Sequence, residues 1–364
     1  MCMKSFEFKL KTITPLIMSG ADQEEFELRG MSIVGAMRYW YRKLYGSNEE
    51  TEIFGSTGRK GRFRIYVHNI SSRRKKVRDY KKLRSGYPDT NYGRNYFISI
   101  LRRDAEKRTV LPENETFNLS MEILDEDFIK QVLGSFWAVV YIGGFGTRSR
   151  RGFGSLKVVN MNDNGSFVDH FIDIDETNLK RTVSFFGFSR DAFNIYMCDG
   201  FSGSDYKNHV RREISNYGNF EYINGNYRRY VENSRSSRIT CPCSNALECL
   251  DLVGWTLSYF RSYLNPDYNE AKSTQKREID SNKIYRSSFG LPINFYFSSI
   301  RKNTKVNGRA SSRLIIRVYE KNGKYYPVLI FDKKGRKNPS NRNPDLLLVY
   351  LKFMEMSGFK KVIP

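Results

Sequence analysis

The sequence predicts an α+β protein built from two ferredoxin-like (RRM-like, β-α-β-β-α-β) domains in tandem. Three observations carry this reading. Residues 5–160 alternate strand and helix patterns in the order strand, helix, strand, strand, helix, strand. Similar elements recur in the second half of the chain. A length of 364 residues suits two domains better than one.

The first strand is "SFEFKLKTIT", which sets Phe6, Phe8 and Leu10 against charged neighbours. "MSIVGAMRYWYRKLYG" then places Ile33, Met37, Trp40, Tyr41 and Leu44 on one helical stripe, with Ser32 as N-cap and Gly46 as stop. Trp40 is therefore a core residue rather than a base-stacking platform. "EIFGSTGRKGRFRIYVHNI" is a Gly-rich turn into a second alternating strand. Residues 71–95 are polar and basic and predict an exposed insertion. "YFISILRR" and "ETFNLSMEIL" predict two strands. "DEDFIKQVLGSFWAVVYIGG" predicts a helix with acids at its start, where the helix dipole favours them. The Gly-rich stretch "GGFGTRSRRGFG", Gly143 to Gly154, leads into the strand "SLKVV".

The second half repeats parts of this plan. "LECLDLVGWTLSYFRSYL" is a helix that carries Trp255 much as the first carries Trp40. A Phe-Gly pair follows each helix, Phe54-Gly55 and Phe289-Gly290. Next come "INFYF" and the hairpin "SRLIIRVYEKNGKYYPVLIFD", with Asn322-Gly323 at its turn. "NPDLLLVYLKFMEM" supplies a last helix. The polar stretch "NMNDNGSFVDH" marks the boundary, giving domains 1–165 and 166–364.

Composition points to the partner. Lys plus Arg number 61 against 39 Asp plus Glu, a net charge of +22. Such an excess favours a polyanion, nucleic acid or an anionic membrane. The 24 Tyr and 26 Phe, spread among cations, suit stacking on unpaired bases, although most Phe belong to the core. No signal-peptide pattern and no apolar run of about 20 residues is present, so the expectation is a cytoplasmic protein outside the membrane. Five Cys are too few and too odd for a disulfide framework. "CPCSNALEC" offers three thiolates to zinc, with Cys198 or His209 as a fourth ligand; the alternative is reduced structural thiols.

Catalytic motifs are missing. The chain has no Walker sequence, no complete dinucleotide fingerprint, no G-x-S-x-G and no H-E-x-x-H. His68, His170 and His209 are the three His, and each reads as a surface residue without an obvious partner. The expectation is a protein without catalytic residues, metal or cofactor.

Anion-binding signals are stronger. Arg29 precedes a helix start at Ser32, where backbone N–H groups and the dipole attract phosphate, and Arg38 adds a second cation. The alternative is an ordinary cap and a solvated Arg. In the Gly-rich loop, glycines such as Gly144, Gly146 and Gly152 remove side-chain bulk, letting a polynucleotide lie against peptide N–H groups. Arg148, Arg150 and Arg151 supply cations suited to phosphate and to stacking. Three crowded Arg repel one another unless something neutralises them. The alternative is a solvated hairpin; on either reading, the three Arg are expected to be replaceable without loss of folding.

Together "TPLIMSG…LRGMSIVGAMRYWYRKLYG…EIFGSTGRKGRFRI" and "GGFGTRSRRGFGSLKV" resemble the RAMP superfamily. More narrowly they resemble the family of first subunits of the Cmr complex, the type III-B CRISPR RNA-silencing effector. "SSFGLPINFYF" and "GRASSRLIIRV…YYPVLIFD" resemble that family's second half, while residues 160–245 match nothing in it. The resemblance implies two ferredoxin-like domains and a non-catalytic, RNA-binding role in antiviral defence. It implies contact with the 3′ portion of guide (CRISPR) RNA, with target RNA and with other subunits of the ribonucleoprotein. It also implies that Arg29, Ser32, Arg38, Gly144, Gly146, Arg148, Arg150, Arg151 and Gly152 face RNA. One departure is Val34, where the family often carries a basic residue. Two other readings remain: a guide-processing, metal-independent endoribonuclease using a His, and a stand-alone single-stranded RNA-binding module.

Overall fold

The computed structural model describes residues 3–363 except 81–82, 85–86, 89–92, 99–100, 102–105, 164, 166, 173, 190, 223–230, 275–276, 298–301 and 335–344. The molecule is α+β with several antiparallel sheets. In chain order the first half contains β1 (Lys4–Thr12), α1 (Gly30–Leu44), α2 (Glu50–Phe54), β2 (Phe63–His68), the short β3 (Lys75–Lys76), β4 (Leu83–Arg84) and β5 (Tyr87–Pro88), then α3 (Arg94–Ile98) and β6 (Thr109–Val110). It continues with β7 (Thr116–Ile123), α4 (Ile129–Ala138), which runs into a π-helical turn (Val139–Gly143), and β8 (Leu156–Met161).

The main sheet of this half has the order β2-β7-β1-β8 with antiparallel neighbours. Alternation in β1 and β7 sends Phe6, Phe8, Leu10, Phe117, Leu119 and Met121 to one face, which α1 and α4 cover. Trp40 is core, as its stripe predicts, at 5% exposure.

The second half contains α5 (Val168–Phe171), α6 (Glu176–Phe185), β9 (Phe193–Cys198), α7 (Gly203–Glu213), α8 (Ala246–Ser262), α9 (Asn265–Ser273), β10 (Glu278–Ile279), β11 (Leu291–Phe297), β12 (Lys302–Ala310), β13 (Leu314–Lys321), β14 (Lys324–Asp332), α10 (Leu346–Met356) and β15 (Phe359–Ile363). Its main sheet has the order β13-β14-β9-β15, again with antiparallel neighbours. Counting only strands of the two main sheets, both halves show the order 2-3-1-4, with a helix between strands 1 and 2 and another between strands 3 and 4. The Asn322-Gly323 turn forms as expected, with positive φ at both residues (51° and 72°). Both Phe-Gly pairs end a short helical segment with a positive-φ glycine, Gly55 (79°) and Gly290 (104°).

The halves share a core. One face of the second sheet packs Ile195, Ile315, Val328 and Ile330 into the first-half core together with α6. Its other face packs Leu314, Ile316, Val318 and Leu329 against α8 and α10. The layers therefore run sheet, helices, sheet, helices.

Several expectations need correction. "YFISILRR" is helical at Arg94–Ile98, not a strand. Gly93 lies so close to α8 that a side chain there would meet the Asp251 carbonyl, and Phe97 and Ile98 are buried beside that helix. The basic stretch 71–95 is not wholly exposed, since Val77 and Tyr80 enter the second core. "INFYF" is a strand, but it leads into a separate sheet of order β10-β12-β11, inserted before the hairpin. Cys198 and Cys241 are joined in a disulfide, contrary to the expected reduced thiols, while Cys243 and Cys249 are free and buried. Among the described residues, no three His, Cys, Asp or Glu side chains could hold a metal ion. No described helix is long and apolar enough to cross a membrane.

Candidate nucleic-acid interface

The Gly-rich loop leaves the π-turn through Gly144, whose φ is 76°. A side chain there would stand 2.0 Å from the guanidinium of Arg317. Gly146 (φ 78°) is exposed, but a Cβ would meet the Ile17 carbonyl, and buried Gly152 (φ 84°) sits against Leu250 of α8. At Gly144 and Gly152 the absence of side chains serves packing between the halves, not ligand approach as the sequence suggests. The loop also joins the second sheet directly: Arg151 forms a parallel bridge with Ile316, whose N–H donates to the Arg150 carbonyl.

Its three Arg are clamped rather than solvated. Arg148 donates to the Phe97 carbonyl at 2.7 Å. Arg150 donates to the Ser312 carbonyl at 2.7 Å and to the Tyr39 hydroxyl at 2.6 Å. Arg151 reaches the Ser312 hydroxyl and the Phe289 carbonyl. Among the described residues no carboxylate pairs with any of them. Burial, then the charge of Arg151, pulls the Arg148 guanidinium down to about 10. Burial, then Arg150, does the same to Arg151, also to about 10. The loop borders an open cleft of about 350 Å³ with Phe289, Gly290 and Ser312 on the opposite wall. Charge here is concentrated, partly dehydrated and unneutralised, and an anion in the cleft would relieve all three conditions.

α1 extends this surface. Its N-cap is Arg29, without a side-chain cap bond, and not Ser32, which is exposed in the first turn. Arg29 is about half exposed and forms only a 3.5 Å pair with Glu27. Ser32, exposed Gly35 and Tyr39 fall on one stripe, because seven residues make nearly two turns. The stripe runs about 10 Å from Ser32 to Tyr39, where Arg150 docks. The structure thus joins Arg29, Ser32 and the loop into one surface.

Arg38 does not belong to it as a free cation. Its guanidinium pairs with Glu50 and donates to the Gly55 carbonyl at 3.0 Å. Hydrogen bonds from Arg42 and Arg38 hold the Glu50 carboxyl at about 2, well below the usual range.

Sequence reasoning missed Tyr39, Phe289, Gly290 and Ser312. Nothing local announces them, because each meets the loop from more than 100 positions away.

The histidines do not converge. His68 is partly exposed near Glu7 and Ser120. His170 is buried, not superficial; it stacks on Phe185 and bonds Thr182. His209 lies in α7 against Ser357. On the open face of the first sheet the central strands present Glu7, Lys9 and Lys11 on β1, and Asn118 and Ser120 on β7; the exposed aromatic Tyr66 stands on the edge strand β2, opposite Ser120.

Comparison with known proteins follows the same lines. The sequence model of the RAMP superfamily matches residues 9–157. The CRISPR system Cmr subunit Cmr1-2 of Pyrococcus furiosus is 34% identical over 176 residues, spanning 42% of this chain and 93% of that protein. Subunit Cmr1-1 of the same organism is 32% identical over 200 residues, half of this chain and 57% of that protein. The crystal structure of Cmr1 from Pyrococcus furiosus in its apo form superposes with a TM-score of 0.53 at 23% identity, covering 99% of this chain and 98% of that one, a likeness of fold.

Proposed function

Because the chain belongs to the RAMP superfamily, and within it to the family of Cmr1 subunits, we propose that it is a non-catalytic, RNA-binding subunit of a type III-B CRISPR effector complex. In this reading it is two ferredoxin-like domains, 1–165 and 166–364. It works in the cytoplasm beside other subunits and contacts the 3′ portion of guide RNA and the target RNA. The observation that carries the RNA contact is the set Arg148, Arg150 and Arg151, partly buried, without a carboxylate partner and bordering an open cleft. Backbone phosphate is the ligand that this set suits, and a polynucleotide supplies phosphates in series. The exposed start of α1 adds the Arg29 guanidinium and the Ser32 hydroxyl, at the positive end of the helix dipole, for a neighbouring phosphate.

Purification of the protein from its native cells, with sequencing of what accompanies it, tests the reading. The expected result is a set of partner subunits and guide RNAs protected at their 3′ ends. Recovery of the chain alone with mixed RNA favours a stand-alone binding module. Metal-free cleavage of repeat RNA, lost in His68→Ala, His170→Ala or His209→Ala, overturns the non-catalytic assignment.

A further inference from the structure

A second cleft, of about 480 Å³, lies at the tip of the β13–β14 hairpin, between Gly323, Lys324 and the segment Arg235–Ser244. Two of its cations are arranged by a 3₁₀ helix, Arg235–Arg238. Such a helix has three residues per turn, so side chains at i and i+3 eclipse one another. Arg235 and Arg238 therefore leave the helix on the same side, both exposed. Lys324 faces them from the hairpin.

Among the described residues no carboxylate pairs with Arg235, Arg238 or Lys324. The cleft lining also holds one acid, Glu248, whose carboxylate accepts from the N–H and the hydroxyl of Ser244 at 3.0 and 2.6 Å; three cations against this one carboxylate leave the lining with an excess of positive charge. Stacked like charges are unfavourable in the free protein and become favourable when an anion bridges them.

The segment that holds the two Arg is fixed on several sides. The disulfide Cys198–Cys241 ties it to β9. Two backbone hydrogen bonds between Cys243 and Tyr325, at 2.8 and 3.2 Å, tie it to the hairpin. Gly203 at the start of α7 lies against the Ser237 carbonyl so closely that no side chain fits between. The cations are held on a braced frame, which lowers the ordering cost of binding.

We propose that this hairpin-tip cleft is a second phosphate site for single-stranded RNA, with Arg235, Arg238 and Lys324 contacting successive backbone phosphates. The proposal rests on the RNA-binding reading above. It places a contact at the far end of β13 from Ile316, where the first cleft's loop docks: Lys324 pairs with Lys321, five residues along the strand and roughly 17 Å away. Phosphate contacts position a strand without reading its sequence, so this site adds affinity and register but no base preference.

The test uses the full chain, a fluorescent oligouridylate and a salt titration, with thermal melts alongside. In single strands each phosphate contact contributes about 0.7 to the slope of log K against log salt. R235Q/R238Q should flatten the slope by about 1.4, and adding K324Q by about 2 in all, with unchanged melts. An unchanged slope in these variants, alongside a flattened one in variants of the Arg148–Arg151 loop, removes this cleft from the RNA path and leaves the proposed function standing. A wild-type chain that does not bind the RNA overturns both. Loss of co-purifying subunits with an unchanged RNA slope assigns the cleft to an acidic protein partner and overturns the proposal.

Discussion

The guanidinium of Arg317 donates to the carbonyl oxygen of Val140 at 2.7 Å, although 177 positions separate the two residues. It also donates to the Gly154 carbonyl at 3.1 Å, and so joins the two ends of the Gly-rich loop. The Val140 carbonyl is in the π-turn, where helix-end carbonyls lack intrahelical partners. Arg317 is fully buried, and burial lowers its guanidinium to about 10. Arg317→Ala should leave two buried carbonyls unsatisfied, at about 1–3 kcal/mol each. Arg317→Lys, a single ammonium in place of a fork, should lose part of that. Urea unfolding measures both, and an Ala variant as stable as wild type refutes the clamp.

Glu50 should make the protein sensitive to acid. Its folded carboxyl titrates at about 2, below the ordinary value of 4.5. The unfolded chain therefore takes up protons first as pH falls. The stabilisation is fully present above about 4.5 and is lost between there and about 2. Glu50→Gln should be less stable at neutral pH and show a shallower loss over that window. Equal slopes of stability against pH for the two proteins contradict this.

Trp40 and Gly143 should be energetically coupled. A Cβ on Gly143 would stand 1.9 Å from the Trp40 indole nitrogen. Trp40→Ala should cost about 3–5 kcal/mol, as large-to-small core changes do. Gly143→Ala should also destabilise, but much less when Trp40 is already Ala, because the clash is gone. Additive effects in the double variant count against the contact.

Replacing the loop cations should harm folding, not only binding. Arg148→Ala removes the bond to Phe97, and Arg151→Ala removes those to Ser312 and Phe289. Each is expected to cost about 1–3 kcal/mol, since the donors are charged. The expectation that all three could be replaced freely is thereby revised. RNA affinity must be read well below each variant's melting point, where the salt slope should fall by about 0.7 for every phosphate no longer engaged.

How much of this was legible follows from the range of each interaction. The Asn322-Gly323 turn and the Trp40 stripe are local patterns, and both are found as read. β9, FNIYMC, and β15, FKKVI, are short and do not alternate strictly between apolar and polar residues, so they carry no comparable signal. Arg94–Ile98 resembles a strand by composition, and its helical state goes with packing on α8. The loop was recognisable as cationic and glycine-rich. That its Arg donate to carbonyls 51 to 162 positions away was not, because a carbonyl acceptor is common to every residue and leaves no mark in the sequence.

The shared core has a consequence for synthesis. Val362 and Ile363 pack into the same apolar cluster as Phe6 and Phe8. The first sheet and its helices leave the ribosome long before those two residues are made. Until then the surface they will cover, with that meant for Ile195, Ile315 and Ile330, remains open to water or to a chaperone. A nascent chain halted after residue 165 would therefore carry an unfinished core.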